Sequence, residues 1–233
     1  IRDGLLLTST GDLGSDDEIV DFVKQWVPDS VPAVVGIDAP LRVPNATGSR
    51  KCDRDLSAEW RRFDAGALPA NRKLLAVDGS VRGETLVAML RSCCGFDERA
   101  LIPQRTQRRI VCEVYPHPAH VSLFGLAKTL KYKVRKGRSL ADRRAEFQRY
   151  HGFLSTLADR DPPAVGLDDL LGSDLSAMRG SALKAHEDRL DAVTCAYIAA
   201  YLWHHGPGRT RVYGSLGAGH ILVPMTGGVK EPS

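Results

Sequence analysis

Two short apolar runs constrain the fold of this chain more than any other feature of its sequence. They are Ala33–Ile37 and Ile110–Tyr115, and a proline follows each run, at Pro40 and Pro116. Apolar runs of this length are typical of strands buried on both faces, as in parallel sheets. Helical patterns lie between and after them, so the sequence predicts an α/β fold.

Helix signals separate these strands. The residues from Ser15 to Glu18 form a capping box ahead of an apolar stripe, and Pro28 ends the helix near Val27. The other segments with helical patterns are Leu56–Phe63, Leu86–Cys94, His120–Leu126, Ser139–Leu157 and Leu183–Trp203, and we expect closing strands at Arg211–Tyr213 and Ile221–Val223.

The length and composition are those of an ordinary globular protein. A chain of 233 residues with 43% hydrophobic and 26% charged residues is neither disordered, nor collagen-like, nor a coiled coil. Residues 41–80 are rich in proline, glycine and charge, which predicts an irregular insertion outside the central sheet. We therefore expect one domain over residues 1–233 with an insertion at about 41–80.

The sequence also favours a cytoplasmic protein. Its apolar runs are far shorter than the roughly 20 residues that cross a bilayer, and no secretion signal is visible. The five cysteines are an odd number, and their spacing matches neither a disulfide framework nor a zinc site. We therefore expect the protein to reside in a reducing compartment and to have no membrane partner.

The first residues indicate that the sequence begins inside a fold. Asp3-Gly4 precedes the apolar run Leu5–Leu7, and Asp-Gly beside such a run is a hairpin signal. Because only Ile1 remains of the other arm, we expect a preceding strand to be missing from this sequence. The alternative is an ordinary surface turn.

Two carboxylates lie on the predicted strands. Asp38 follows the first strand, at the end where ligands bind in open α/β sheets, although it is also placed to cap the turn before Pro40. Glu113 lies inside the second strand with apolar neighbours on both faces. Since an isolated buried charge costs several kcal/mol or more, we expect Glu113 to have a cationic partner, a metal or a raised pKa, and a purely structural ion pair is the alternative.

Two further carboxylates share a helix face. Asp188 and Asp191 are three residues apart, at the start of an apolar stripe that continues through Cys195 and Ile198. Their repulsion predicts that Asp191→Asn leaves the fold as stable as before or more stable. The alternative is that these acids, with Glu187, complement the helix dipole.

Together these residues form a pattern suited to hard metal ions. Oxygen ligands from several elements bind Mg²⁺ or Mn²⁺. Two such ions about 4 Å apart can support phosphoryl transfer to water. The predicted catalytic and metal-ligating residues are Asp38, Glu113, Asp188 and Asp191.

The chain resembles an uncharacterised family. The motifs that carry the resemblance are Val35–Pro40, Cys112–His117, Leu130–Lys133 and Asp188–Ala192, in this order, and the match spans about residues 30 to 204. They resemble the family catalogued as domain of unknown function 429, which is regarded as RNase H-like.

The resemblance implies a ribonuclease H-like fold, with a mixed five-stranded sheet flanked by helices, and nuclease activity by a two-metal mechanism. Asp38 matches the inner-strand acid of that superfamily, Asp188 and Asp191 match the late-helix acids, and Glu113 follows on the next strand. The first-strand acid has no counterpart, as expected if the first strand is missing here.

A basic segment is the candidate substrate-binding region. Lys131, Lys133 and Arg138 can hold a phosphate backbone, and Tyr132 between them can stack on a base. The net charge of +4 is compatible with RNA, DNA or a hybrid as partner. A solvated basic loop is the alternative.

Two other functions remain open at this stage. The chain can be a nucleic-acid-binding module that has kept the fold and lost catalysis. It can also be a nucleotide-binding protein of the related actin-like ATPase branch, since Asp78-Gly79-Ser80 resembles its phosphate loops. The same tripeptide is more commonly a turn.

Overall fold

The computed structural model describes residues 4–227, which form a mixed α/β protein. The turn expected at Asp3-Gly4 falls partly outside these residues. The α-helices are α1 (Asp16–Trp26), α2 (Lys51–Trp60), α3 (Arg72–Leu75), α4 (Arg82–Cys94), α5 (Pro116–Phe124), α6 (Leu140–Ser155), α7 (Asp168–Leu171) and α8 (Gly180–His205). The strands are β1 (Leu5–Leu6), β2 (Ala33–Ile37), β3 (Ala76–Val77), β4 (Ser80–Val81), β5 (Asp97–Glu98), β6 (Arg109–Glu113), β7 (Ala164–Val165), β8 (Thr210–Ser215) and β9 (Gly219–Pro224).

The chain divides into two compact units. Among the described residues, unit 1 comprises 4–12 together with Leu130–Tyr197. Unit 2 comprises Leu13–Thr129 together with 198–227. The long helix α8 contributes residues to both.

Unit 2 contains a three-stranded parallel sheet in the order β2-β6-β5. In the β2–β6 pair Ile37 lies opposite Glu113, so both strands end at the same edge of the sheet. A parallel bridge from Val114 to Leu222 connects the end of β6 with β9, which pairs antiparallel with β8. The predicted α/β class is confirmed.

The two predicted inner strands differ in burial. In β6, Ile110, Val111 and Cys112 are fully buried. The residues of β2 are only partly buried. In the described part of the chain β2 pairs on one side only, with β6, and an edge strand keeps part of its surface open.

Two apolar clusters surround this sheet. In the first, Val20 of α1 and Leu90 of α4 belong to the same cluster as Val111 of β6. In the second, Leu56 of α2 packs with apolar residues of the β8–β9 hairpin such as Ile221. The helices of unit 2 thus bury their apolar stripes against the strands, as an α/β fold requires.

The segment 41–80 contributes no strand to the three-stranded sheet. It contains α2 and α3, and its end forms a small hairpin of β3 and β4. Asp78 and Gly79 form the two-residue turn of this hairpin with φ angles of 50° and 77°, the left-handed conformation that such turns need. The tripeptide Asp78-Gly79-Ser80, which resembles a phosphate loop, therefore belongs to a hairpin turn.

Unit 1 combines short strands with longer helices. β1 and β7 form a two-stranded parallel pair. Helix α6 begins with a capping box, in which the Ser139 hydroxyl accepts from the Asp142 N–H and the Asp142 carboxylate accepts from the Ser139 N–H. Tyr132 packs against Phe147 and Tyr150 of this helix, with ring centroids 5.4 and 5.0 Å apart.

No helix among residues 4–227 combines the length and apolarity needed to cross a membrane.

Candidate functional site

Asp38 and Glu113 line the same cavity in unit 2. Because β2 and β6 are parallel neighbours, the residues at their carboxyl ends are brought to one edge of the sheet. The cavity at this edge has a volume of ≈ 230 Å³, and we call it the Asp38 cavity. Asp38 itself is exposed. The other lining residues include the charged Arg50, Asp53 and Glu113 and the apolar Leu68, Pro69, Leu75 and Ile221.

Glu113 is buried and has a cationic partner. Only 4% of it is exposed, and its carboxylate accepts two hydrogen bonds from Arg50, with N–O distances of 2.6 and 2.8 Å. The backbone N–H of Leu41 donates to the same carboxylate at 2.9 Å. A cationic partner was one of the outcomes expected for this carboxylate, since a buried carboxylate is costly without one, and the pairing also fits the alternative of a structural ion pair.

Arg50 also binds Asp53, a residue that sequence reasoning missed. Nε of Arg50 donates to both carboxylate oxygens of Asp53. A terminal nitrogen of the same guanidinium also donates to Oδ1 of Asp53, at 2.7 Å. Asp53 also accepts from the backbone N–H groups of Arg50 and Ala70. Arg50 and Asp53 lie in the segment interpreted as an irregular insertion, where nothing local distinguishes them from solvated charges.

Burial shifts the protonation of two groups at this edge. It raises the pKa of Glu113 to about 7, although Arg50 acts in the opposite direction. Burial and the nearby Arg50 and Arg42 lower the pKa of His220 to about 4. The two groups are linked, because the backbone N–H of Glu113 donates to Nε2 of His220 at 3.4 Å.

Asp191 lies in unit 1 and is also held by its own neighbours. It is 9% exposed, and its Oδ1 accepts from the hydroxyl of Tyr132 at 2.5 Å. Its Oδ2 lies 2.9 Å from Nζ of Lys133. The motif Leu130–Lys133 thus contacts the motif that begins at Asp188, two segments that the sequence places far apart.

Asp188 does not share the burial expected for it. Its side chain is 59% exposed and pairs with Lys184, one turn earlier on α8. The buried acid at the start of the stripe is instead Glu187, at 4% exposure, which pairs with Lys184 and Arg143. Successive helix residues are about 100° apart, so Glu187 and Asp191 face the interior while Asp188 faces solvent.

The basic segment combines partly exposed cations with a buried aromatic ring. Tyr132 is 0% exposed, so its ring is not available to stack on a base in this arrangement. The side chain of Lys133 is 36% exposed beside Asp191, and Arg138 donates to the Lys133 carbonyl. Lys131 has its backbone N–H fixed by Glu146 at 2.6 Å. Tyr132 holds Asp191 in place, because its ring is anchored between Phe147 and Tyr150.

The comparisons with known proteins identify a family. No curated protein and no solved structure matches the chain. One family model does match, over residues 2–215, and its description is "Protein of unknown function (DUF429)". Because this match covers most of the 233 residues, the chain belongs to the DUF429 family.

Proposed function

We propose that this protein is a metal-dependent phosphodiesterase of the RNase H-like class that cleaves nucleic acid by two-metal hydrolysis. The observation that carries the proposal is the common cavity of Asp38 and Glu113 at the carboxyl ends of two paired parallel strands. This edge is where α/β proteins bind their ligands. The RNase H-like fold, with its five-stranded sheet, is part of the same proposal.

The donor atoms of these residues fit Mg²⁺ or Mn²⁺. Carboxylate oxygens are the ligands that such hard cations prefer. Asp38 is exposed at the cavity. Oε1 of Glu113 accepts one described hydrogen bond, from Arg50, so it keeps an acceptor position for another ligand. The other two predicted ligands, Asp188 and Asp191, belong to unit 1, where Lys133 neutralises Asp191.

Each group has a distinct role in the proposed reaction. When bound, the metal ions would lower the pKa of an attacking water and neutralise the departing oxygen. Asp38 and Glu113 supply carboxylate oxygens at the cavity. Lys131, Lys133 and Arg138 bind the phosphate backbone of RNA, DNA or a hybrid through charge, without reading its sequence.

The test is a cleavage assay with labelled RNA, DNA and hybrid substrates in Mg²⁺ or Mn²⁺. The parent chain should cleave at least one substrate and lose activity when the metal is chelated. Asp38→Asn should lower the rate by more than about 100-fold, beyond the range typical of residues that only support a ligand. Asp55→Asn is the matched control, because Asp55 is a partly exposed acid of the same unit paired with Lys51.

One observation favours a second candidate, a nucleic-acid-binding module without catalysis. Three of the four proposed ligands lie beside a cation of the chain: Glu113 beside Arg50, Asp191 beside Lys133, and Asp188 beside Lys184. Carboxylates that are already neutralised attract a metal ion less strongly. Binding of nucleic acid that does not depend on the metal, with no cleavage of any substrate, would support this candidate over the enzyme.

A further inference from the structure

Arg50 uses every donor of its side chain inside the protein. It is 3% exposed, and a guanidinium has five N–H donors. Nε donates to Asp53, one terminal nitrogen donates to Glu113 and to the carbonyl of Arg42, and the other donates to Asp53 and Glu113. No donor remains for a substrate phosphate, so Arg50 has a role other than binding a ligand.

The same bonds fix the loop that follows Asp38. Glu113 accepts from the N–H of Leu41 at 2.9 Å, and Arg50 donates to the carbonyl of Arg42 at 3.2 Å. Two successive residues of the loop are thus held by one ion pair. Asp38 is three residues before Leu41, so these two hydrogen bonds anchor the backbone close to Asp38.

Asp53 in turn orients Arg50. It accepts from two nitrogens of the guanidinium and from the backbone N–H of Arg50, so the planar group has one favourable orientation. Asp53 also accepts from the N–H of Ala70, at 3.2 Å, in the wall of the Asp38 cavity. The pair therefore ties together the strand end, the loop and the cavity wall.

We propose that Arg50, oriented by Asp53, is a positioning residue that fixes Glu113 and the loop of Asp38 for metal binding. This inference rests on the proposed function, since it assigns Arg50 a role toward the metal ligands of that site. Arg50 touches neither metal nor substrate. It acts by holding the carboxylate oxygens of Glu113 at the cavity and by fixing the backbone of the loop that follows Asp38.

The test compares Mn²⁺ affinity in two variants, by calorimetric titration of the full chain. Arg50→Lys keeps the positive charge, but an ammonium group cannot serve two carboxylates and a carbonyl in a planar fork. We expect its Kd for Mn²⁺ to rise about 10- to 100-fold, the effect typical of residues that orient metal ligands. Leu90→Ala is the control for lost stability, because Leu90 is fully buried and is not among the lining residues of the cavity. It should unfold more easily with an unchanged Kd.

The outcomes separate the two proposals. If the parent chain does not bind Mn²⁺, the proposed function fails and this inference fails with it. If the parent binds Mn²⁺ and Arg50→Lys binds it equally well, only the positioning role is overturned. Should Arg50→Lys not fold, Asp53→Glu replaces it, since the longer side chain keeps the negative charge and displaces the carboxylate that orients Arg50. A weaker Mn²⁺ affinity in Asp53→Glu supports the inference, and an unchanged affinity refutes it.

Discussion

Asp191 and Asp188 differ in their surroundings although both belong to the same motif. Asp191 is buried and bonded to Tyr132 and Lys133, whereas Asp188 is exposed beside Lys184. The repulsion inferred from their spacing is compensated by these cations. The expectation that Asp191→Asn leaves stability unchanged or raised therefore needs revision.

We now expect Asp191→Asn to destabilise the protein by about 1–3 kcal/mol, the range for losing charged hydrogen bonds in a buried setting. Asp188→Asn is the matched control, and a change at its exposed position should stay within about 0.5 kcal/mol. Urea denaturation of both variants at neutral pH measures the difference. Equal effects of the two substitutions would contradict the contacts of Asp191.

A second residue pair in unit 1 predicts a response to pH. Nε2 of His151 and Nε2 of His186 are 2.7 Å apart, so one ring donates and the other accepts, which requires the accepting ring to be neutral. His186 is 1% exposed, and burial, then His151 and Arg189, lower its pKa from 6.5 to about 4. Between pH 6.5 and about 4, His186 binds a proton in the unfolded chain but stays neutral in the folded chain.

Stability should therefore fall as the pH drops from 6.5 towards 4. His186→Gln removes this titration, so the stability of the variant should fall less steeply over the same range. Thermal unfolding at half-unit pH steps provides the measurement. A variant with the same pH slope as the parent would show that His186 titrates alike in the folded and unfolded states.

At the scale of elements, helix α4 packs closely against the loop after β2 at Gly83. A Cβ at Gly83 would lie 2.1 Å from the carbonyl oxygen of Pro40. This is a steric clash, and the backbone would have to move to remove it. Gly83→Ala should destabilise the protein by about 1–3 kcal/mol, as overpacking does. Gly152 in α6 is the control, because nothing lies within 4 Å of its Cβ. Gly152→Ala should stabilise by roughly 1 kcal/mol through helix propensity.

Denaturant unfolding of both alanine variants gives the comparison. If both substitutions changed the free energy of unfolding in the same direction, α4 would have to lie farther from the loop than described. In the Gly83 variant a displaced loop should also weaken Mn²⁺ binding, because that loop carries Asp38.

Elements were more predictable from sequence than contacts. The capping box at Ser15 marked the start of α1, because this signal acts within a few residues. Helix α2 begins at Lys51, earlier than its apolar pattern indicated. The pairing of Arg50 with Glu113 joins residues 63 positions apart, and a chain with 32 lysines and arginines offers many candidates for that partner. Only the fold selects one of them.

For the whole molecule, charge is the property that bears on a polyanionic partner. A net charge of +4 predicts weak binding that depends strongly on salt. In the proposed complex Lys131→Ala should lower the slope of log affinity against log salt concentration by about 0.9 on duplex DNA, the loss of one phosphate contact. Lys51→Ala is the control, since Lys51 is an exposed cation of unit 2 outside the basic segment.

Fluorescence anisotropy with a labelled duplex at several salt concentrations measures both slopes. If the slope changes equally in the two variants, the contribution comes from net charge and not from the basic segment. If neither slope changes, the phosphate contact assigned to Lys131 does not exist.

The division into two units has a spectroscopic consequence. All three tryptophans, Trp26, Trp60 and Trp203, belong to unit 2. Trp60 is 4% exposed, and its indole N–H donates to the hydroxyl of Tyr213, so its emission should shift strongly when it meets water. Tryptophan emission thus reports the unfolding of unit 2 directly. Unit 1 contains Tyr132, Tyr150 and Tyr197 but no tryptophan, so unfolding of unit 1 alone should change the tryptophan emission little.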